Sequence, residues 1–116
     1  MKSVLIIDDS PEDREWLADV VDDFSAGDVR VFEDVEEALV SFRERPADLV
    51  LLDDWLGAKR GWAYAPSFQA ISPRATIAIT SGVPFANVDQ LSKTLHLTFF
   101  IKKEITEKAI RDLFVV

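Results

Sequence analysis

The chain contains no cysteine, which excludes disulfides, thiol redox chemistry and cysteine-ligated metal. It has one histidine, His96. A single imidazole cannot build a histidine metal cluster, so His96 is read as structural. Basic residues are the scarce charge: 13 Lys and Arg stand against 21 Asp and Glu, a net charge of -8. That balance argues against general binding to nucleic acid or to an anionic membrane surface, both of which need a basic face. No apolar run approaches the ~20 residues of a membrane-spanning helix, so no membrane insertion is expected. Glycine is sparse, and none follows the first apolar run closely, so no glycine-rich phosphate loop accompanies it. Met1-Lys2-Ser3 leads straight into that run. No secretory leader is therefore expected, and the cytoplasm is the expected compartment.

What is present is a chain of 116 residues, 48% of them apolar. A single domain of this size buries roughly two-thirds of its unfolded surface, enough for a real core. The organising stretch is Asp48-Leu49-Val50-Leu51-Leu52-Asp53-Asp54-Trp55-Leu56-Gly57. Its short apolar run reads as a strand buried on both faces. The two acids that end it belong at the carboxyl edge of a sheet, because an unpaired buried carboxylate is costly. Val4-Leu5-Ile6-Ile7 runs into Asp8-Asp9 in the same way. If the two strands are parallel neighbours, four carboxylates converge on one edge. Such a cluster suits a hard cation with oxygen ligands, Mg²⁺ above all.

Taken in order, Val4–Ile7 is the first strand. Ser10 caps the helix that follows, Pro11 fits its first position, and Asp13 stands where a capping box places an acid. Trp16, Leu17, Val20, Val21 and Phe24 form its apolar face, and Gly27 ends the segment. Val29–Phe32 is the second strand. Asp34 caps the second helix, with Glu37 three residues on and Val35, Ala38, Leu39 and Phe42 as its stripe, and Pro46 prevents its extension. Leu49–Asp53 is the third strand. Gly57 and Gly61 bracket a loop at Ala58-Lys59-Arg60. Residues Trp62–Ile71 predict a helix interrupted by Pro66, either short or broken. Thr76–Thr80 is the fourth strand. A helix beginning near Pro84 to Asn87 carries Val88, Leu91 and Leu95. Leu97–Ile101 is the fifth strand. Thr106 caps the last helix, Ile105 and Ile110 are spaced as a hydrophobic staple, and Ala109, Ile110, Leu113 and Phe114 face the core. Five strands alternating with five helices predict a doubly wound α/β fold, a parallel sheet covered on both faces. The whole chain, 1–116, reads as one domain.

Ligands in such folds bind at the carboxyl ends of the strands. There the strands end in Asp8-Asp9, Asp53-Asp54, Thr80-Ser81 and Lys102-Lys103. Acids with a cation, a hydroxyl and an ammonium can together hold a phosphoryl group, and a central carboxylate can be its acceptor.

These residues resemble the receiver domain of bacterial two-component response regulators over essentially the whole chain. The matching pieces are Ile7-Asp8-Asp9-Ser10, Asp48 to Asp53, Gly61, Ile79-Thr80-Ser81 and Phe99-Phe100-Ile101-Lys102, in that order. The resemblance implies a flavodoxin-like sheet of strand order 2-1-3-4-5. It implies Asp53 as phosphoacceptor. Mg²⁺ would be bound by Asp9, with Asp8 helping, by Asp53 and by the backbone carbonyl of Trp55. It further implies Thr80 as the hydroxyl that meets the phosphoryl group and Lys102 as its ion-pair partner. Phe99 stands at the aromatic switch position coupled to Thr80. The implied phosphoryl donor is a histidine kinase or a phosphotransfer protein. The implied output is protein binding through the fourth helix, fifth strand and fifth helix, not direct contact with nucleic acid. The apolar end Leu113-Phe114-Val115-Val116 fits a homodimer contact, a docking contact or an ordinary packed helix end. On this reading the chain promotes its own phosphorylation and hydrolysis but is no enzyme toward a separate substrate.

The chain departs from the family pattern at Lys103 and Gly57, where proline is usual, and at Asp54, where an apolar residue is usual. Asp54 is read as a solvated turn acid or a competitor for Mg²⁺. Two other readings compete. One is a receiver-like module that binds proteins without phosphorylation. The other is a small phosphohydrolase with an aspartate nucleophile, against which stand the adjacency of Asp8 and Asp9 and the lack of length for a substrate pocket.

Overall fold

The computed structural model describes residues 2–83 and 97–114. The predicted helix carrying Val88, Leu91 and Leu95 lies outside them, as do His96, Val115 and Val116. Chain order is β1 (Val4–Ile7), α1 (Pro11–Val20), α2 (Asp22–Ser25), β2 (Val29–Phe32), α3 (Val35–Glu44), β3 (Leu49–Asp53), β4 (Trp55–Leu56), β5 (Lys59–Arg60), a 3₁₀ turn (Gly61–Tyr64), α4 (Ala65–Ile71), β6 (Thr76–Ser81), β7 (Thr98–Ile101), a second 3₁₀ turn (Lys102–Glu104) and α5 (Glu107–Asp112). The main sheet has the order β2-β1-β3-β6-β7, and each adjacent pair is parallel. This is the predicted 2-1-3-4-5 arrangement.

Period-two alternation divides the interior into two cores. On one face Leu5 and Ile7 of β1, with Val50 and Leu52 of β3, pack beneath Val35, Ala38, Leu39 and Phe42 of α3 and Phe68 of α4. On the other, Val4, Ile6, Leu49 and Leu51 meet Leu17, Val21 and Phe24, and beyond them Ile105 and Ile110. β1 and β3 are buried throughout. That explains why they read as continuous apolar runs rather than as alternating ones. Phe42 and Phe68 meet edge to face at 5.2 Å, the geometry aromatic quadrupoles favour.

Several expectations need correction. Trp16 is 39% exposed, because the buried stripe of the first helix runs Leu17, Val21, Phe24 and a residue one position earlier points away from it. The helix does not run through to Gly27. α1 ends at a Val21 cap, α2 adds a single turn, and Ala26 and Gly27 reverse the chain with φ of 51° and 82°. Pro66 does not break a helix. It sits in the first turn of α4, where a missing N–H costs nothing. The fourth strand extends one residue further, to Ser81, and the fifth begins one later, at Thr98.

The expected loop at Ala58-Lys59-Arg60 is instead half of a hairpin. β4 and β5 pair antiparallel, Trp55 opposite Arg60 and Leu56 opposite Lys59. Gly57 opens the two-residue turn at φ 65°, which glycine tolerates and proline cannot adopt. Asp54 is neither solvated nor free for a cation. It is 2% exposed and paired with Arg60, with Nη2 2.6 Å from Oδ2 and Nε 3.3 Å from Oδ1. The same guanidinium lies 4.2 Å from the centroid of the half-exposed Trp55 ring. The hairpin is thus held by one side chain that neutralises a buried acid and covers an aromatic face.

Arg60→Ala is expected to lower unfolding free energy by about 3 kcal/mol, because it strands a buried carboxylate. Urea titration of the purified variants checks this. Asp54→Asn in the Arg60→Ala background should recover much of the loss.

Candidate functional site

The strand order reverses between β1 and β3, since the chain goes from β1 to one neighbour and later returns on the other side. Such a switch point leaves a crevice at the carboxyl ends of the strands. Asp8 and Asp9 follow β1, Asp53 ends β3, Thr80 lies opposite Asp53 in β6, and Lys102 follows β7. Residues 8, 9, 53, 80 and 102 are thereby gathered at one edge of the sheet.

Asp8 is fully buried and Asp53 is 4% exposed, whereas Asp9 is exposed. Asp8 Oδ1 accepts from the Ser10 N–H at 2.9 Å, and its backbone carbonyl accepts from Arg14 at 2.7 Å. Asp9 Oδ2 accepts from the Gly57 N–H at 3.1 Å, tying the hairpin tip to the site. The Asp53 carboxylate is bonded by the Trp55 backbone N–H. Lys102 Nζ lies 2.7 Å from Asp8 Oδ2, 2.9 Å from Asp13 Oδ2 and 3.3 Å from Asp53 Oδ1. The Asp8 contact is an ion pair rather than an aligned hydrogen bond. Lys103, expected beside it at the same edge, is exposed. No peptide bond among the described residues is cis, and Lys102–Glu104 form a 3₁₀ turn.

Burial and the neighbouring Asp8 charge push the Asp53 carboxyl up to about 7, against the downward pull of Lys102. Burial alone would lower the Lys102 ammonium. Asp8, Asp13 and Asp53 outweigh it and hold the ammonium above its ordinary value.

Two observations bear on a ligand. Carboxylate oxygens of Asp8, Asp9 and Asp53 lie within 4.8 Å of one another, an all-oxygen donor set that suits a hard divalent cation. Thr80 Oγ1 is buried with no hydrogen-bond partner among the described residues. A buried hydroxyl in that condition is costly unless something else engages it. Gly61 adds a steric requirement. A Cβ built there would meet the Asp53 carbonyl oxygen at 1.9 Å, so only glycine lets the following turn pass behind the strand end. Phe99 and Phe100 are half-buried and pack against opposite cores.

Sequence reasoning missed Asp13 and Arg60. For Arg60 a signal existed, since a glycine directly after Trp55-Leu56 can open a two-residue hairpin turn. For Asp13 there was none, because its partner lies 89 positions away.

Fold and edge together define a class: doubly wound α/β proteins with an acidic, lysine-bearing site at the switch point. The family model for the response regulator receiver domain matches residues 4–114, and the chain belongs to that family. Phosphorylation on an aspartate is the chemistry of its members. Among solved structures, the chemotaxis protein CheY4 of Vibrio cholerae superposes with a TM-score of 0.78 at 21% identity, over 97% of this chain and 95% of that one. A response regulator of Burkholderia pseudomallei, with a phosphorylated aspartic acid, a calcium ion and citrate, gives 0.84 at 19% identity over 100% and 68%. A CheY-like receiver domain protein of Methanospirillum hungatei gives 0.79 at 17% over 97% and 90%. At these identities the likeness is one of fold. No curated protein matches the chain in sequence. Among the described residues no helix is long and apolar enough to cross a membrane.

A carboxyl raised on folding holds more protons in the folded than in the unfolded state between about pH 4 and 7, so its contribution to stability falls as pH rises through that window. Asp53→Asn removes the penalty. In metal-free buffer it is expected to stabilise the chain by roughly 2–4 kcal/mol at about pH 8 and by little near pH 4. Urea unfolding at the two pH values measures the gap. A gap that does not change with pH would refute burial as its cause.

Proposed function

We propose that the chain is a stand-alone receiver, one domain over 1–116, that takes a phosphoryl group on Asp53 and signals by binding another protein. The observation that carries this reading is the buried Asp53 carboxylate 3.3 Å from Lys102, with Asp8 beside it and the unpartnered Thr80 hydroxyl on the adjacent strand. An oxygen of Asp53 attacks the phosphorus of a phosphohistidine on a kinase or phosphotransfer protein. The new P–O bond forms as the P–N bond breaks, and the imidazole leaves with the electron pair and is reprotonated. Lys102 pairs with a phosphoryl oxygen, and Thr80 donates a hydrogen bond to another.

Asp8, Asp9 and Asp53 are the residues that would hold Mg²⁺, with the Trp55 carbonyl as a further ligand. Bound there, the ion supplies positive charge against the carboxylates and the phosphoryl oxygens. Asp54 does not enter this set, since Arg60 already holds it. The phosphoryl group engages Thr80 and Lys102 in a way an unmodified carboxylate cannot. It can therefore bias a two-state surface around Phe99, β7 and α5, together with the fourth helix of the family pattern. A histidine kinase or phosphotransfer protein supplies the phosphoryl group, and a downstream protein reads the surface. The chain is no enzyme toward a separate substrate and acts in the cytoplasm.

Intact mass after incubation with acetyl phosphate and Mg²⁺ tests the reading. The expected result is a gain of one phosphoryl group that is lost with a chelator and lost in Asp53→Asn. A gain that survives the substitution moves the acceptor elsewhere. No gain, with a working receiver labelled in parallel, favours a module that binds without phosphorylation.

A further inference from the structure

The side chain of Asp13 is not used as its sequence position suggests. At the third position of a capped helix, an acid ordinarily reaches back to the N–H of the capping residue. Here half of that box is made: the Asp13 N–H donates to Ser10 Oγ at 3.3 Å. The other half is not, because the Ser10 N–H donates to Asp8 Oδ1 at 2.9 Å instead. The Asp13 carboxylate is thereby released, and it accepts from Lys102 Nζ at 2.9 Å.

Lys102 has three N–H donors and faces three carboxylates, with Asp53 the most distant of them. Its side chain is 15% exposed, so the charges act on it with little screening, whereas Asp13 is 41% exposed and reachable by water. Asp13 takes one donor and offsets part of the ammonium's charge.

We propose that Asp13 is a positioning residue that shares Lys102 with the acceptor and thereby weakens the ammonium's pull on an incoming phosphoryl group. This rests on the reading of Asp53 as acceptor. Removing the Asp13 charge leaves Lys102 to Asp8 and Asp53 alone and takes one negative charge from the neighbourhood of an anionic donor. The backbone half of the cap does not involve the carboxylate, so helix α1 keeps its Ser10 bond.

The test uses the full chain, Asp13→Asn and Asp13→Glu, with acetyl phosphate and Mg²⁺ and circular dichroism to confirm folding. Asp13→Asn is expected to label roughly three- to tenfold faster than the parent, the effect of one partly exposed charge near the reacting atoms. Asp13→Glu, which keeps the charge, should stay near the parent rate. A purely structural role for Asp13 would leave the labelling rate of the folded Asn variant unchanged. Such an unchanged rate, or a slower one, overturns the inference. A second readout does not depend on phosphorylation: the Lys102 Nζ resonance of the nitrogen-15-labelled chain, assigned with Lys102→Arg. It is expected to shift and to exchange its protons faster in Asp13→Asn. If the parent chain does not label at all, the reading of Asp53 fails, and the Nζ resonance alone decides the Asp13–Lys102 pairing. An unmoved resonance overturns that pairing as well.

Discussion

The placement of one ammonium among carboxylates is the constraint on which this molecule depends. Asp8 is fully buried and Asp53 nearly so, and neither burial is tolerable without a nearby cation. Lys102 supplies it, anchored at the end of the last strand of the sheet. The sheet must therefore be complete, from β1 through β3 and β6 to β7, before the acids at its centre have their counter-charge. Site formation and folding are in this sense the same event. The cation offsets the acids only in part, as the upward displacement of Asp53 records, so the edge remains hungry for positive charge.

A second cation plays a parallel part a short distance away. Arg60 covers Asp54 as Lys102 covers Asp53. Adjacent carboxylates in one chain are thus sent to different partners, and the hairpin that follows them does the sorting by bringing Arg60 back to Asp54. Its turn reaches Asp9 through the Gly57 N–H, and its far end closes behind the strand through the Gly61 N–H, which donates to the Asp54 carbonyl at 2.7 Å. The two acids of the Asp53-Asp54 pair therefore have distinct chemical fates despite identical side chains.

Much of this was legible in the sequence. Uninterrupted apolar runs over residues 4–7 and 49–52 marked strands buried on both faces, and the spacing of Ser10, Asp34 and Thr106 before apolar stripes marked helix starts. The positions of Asp8, Asp9, Asp53, Thr80 and Lys102 at strand ends followed from the sheet alone. What stayed hidden depended on contacts that no local pattern encodes. Asp54 looked like a turn acid because the hairpin that brings Arg60 back to it is only two residues per strand. Trp16 looked buried because its stripe was read one residue too wide. Asp13 looked like a cap because the competing bond, from Ser10 to Asp8, is made by a residue whose own orientation is set by burial. Pro66 was read as a breaker because the helix start it occupies was not recognised.

The alternation of β1 between two cores has a mechanical consequence. Val4 and Ile6 are committed to one face, Leu5 and Ile7 to the other. A slip of one residue along the strand would exchange the two sets and unpack both interiors at once. The central strands are therefore cogged, locked against sliding by their own side chains like teeth in a rack. Events at the carboxyl edge cannot travel through the molecule as a translation of the sheet. They must leave sideways, by rotations of side chains and shifts of the loops that rim a frame which itself stands still.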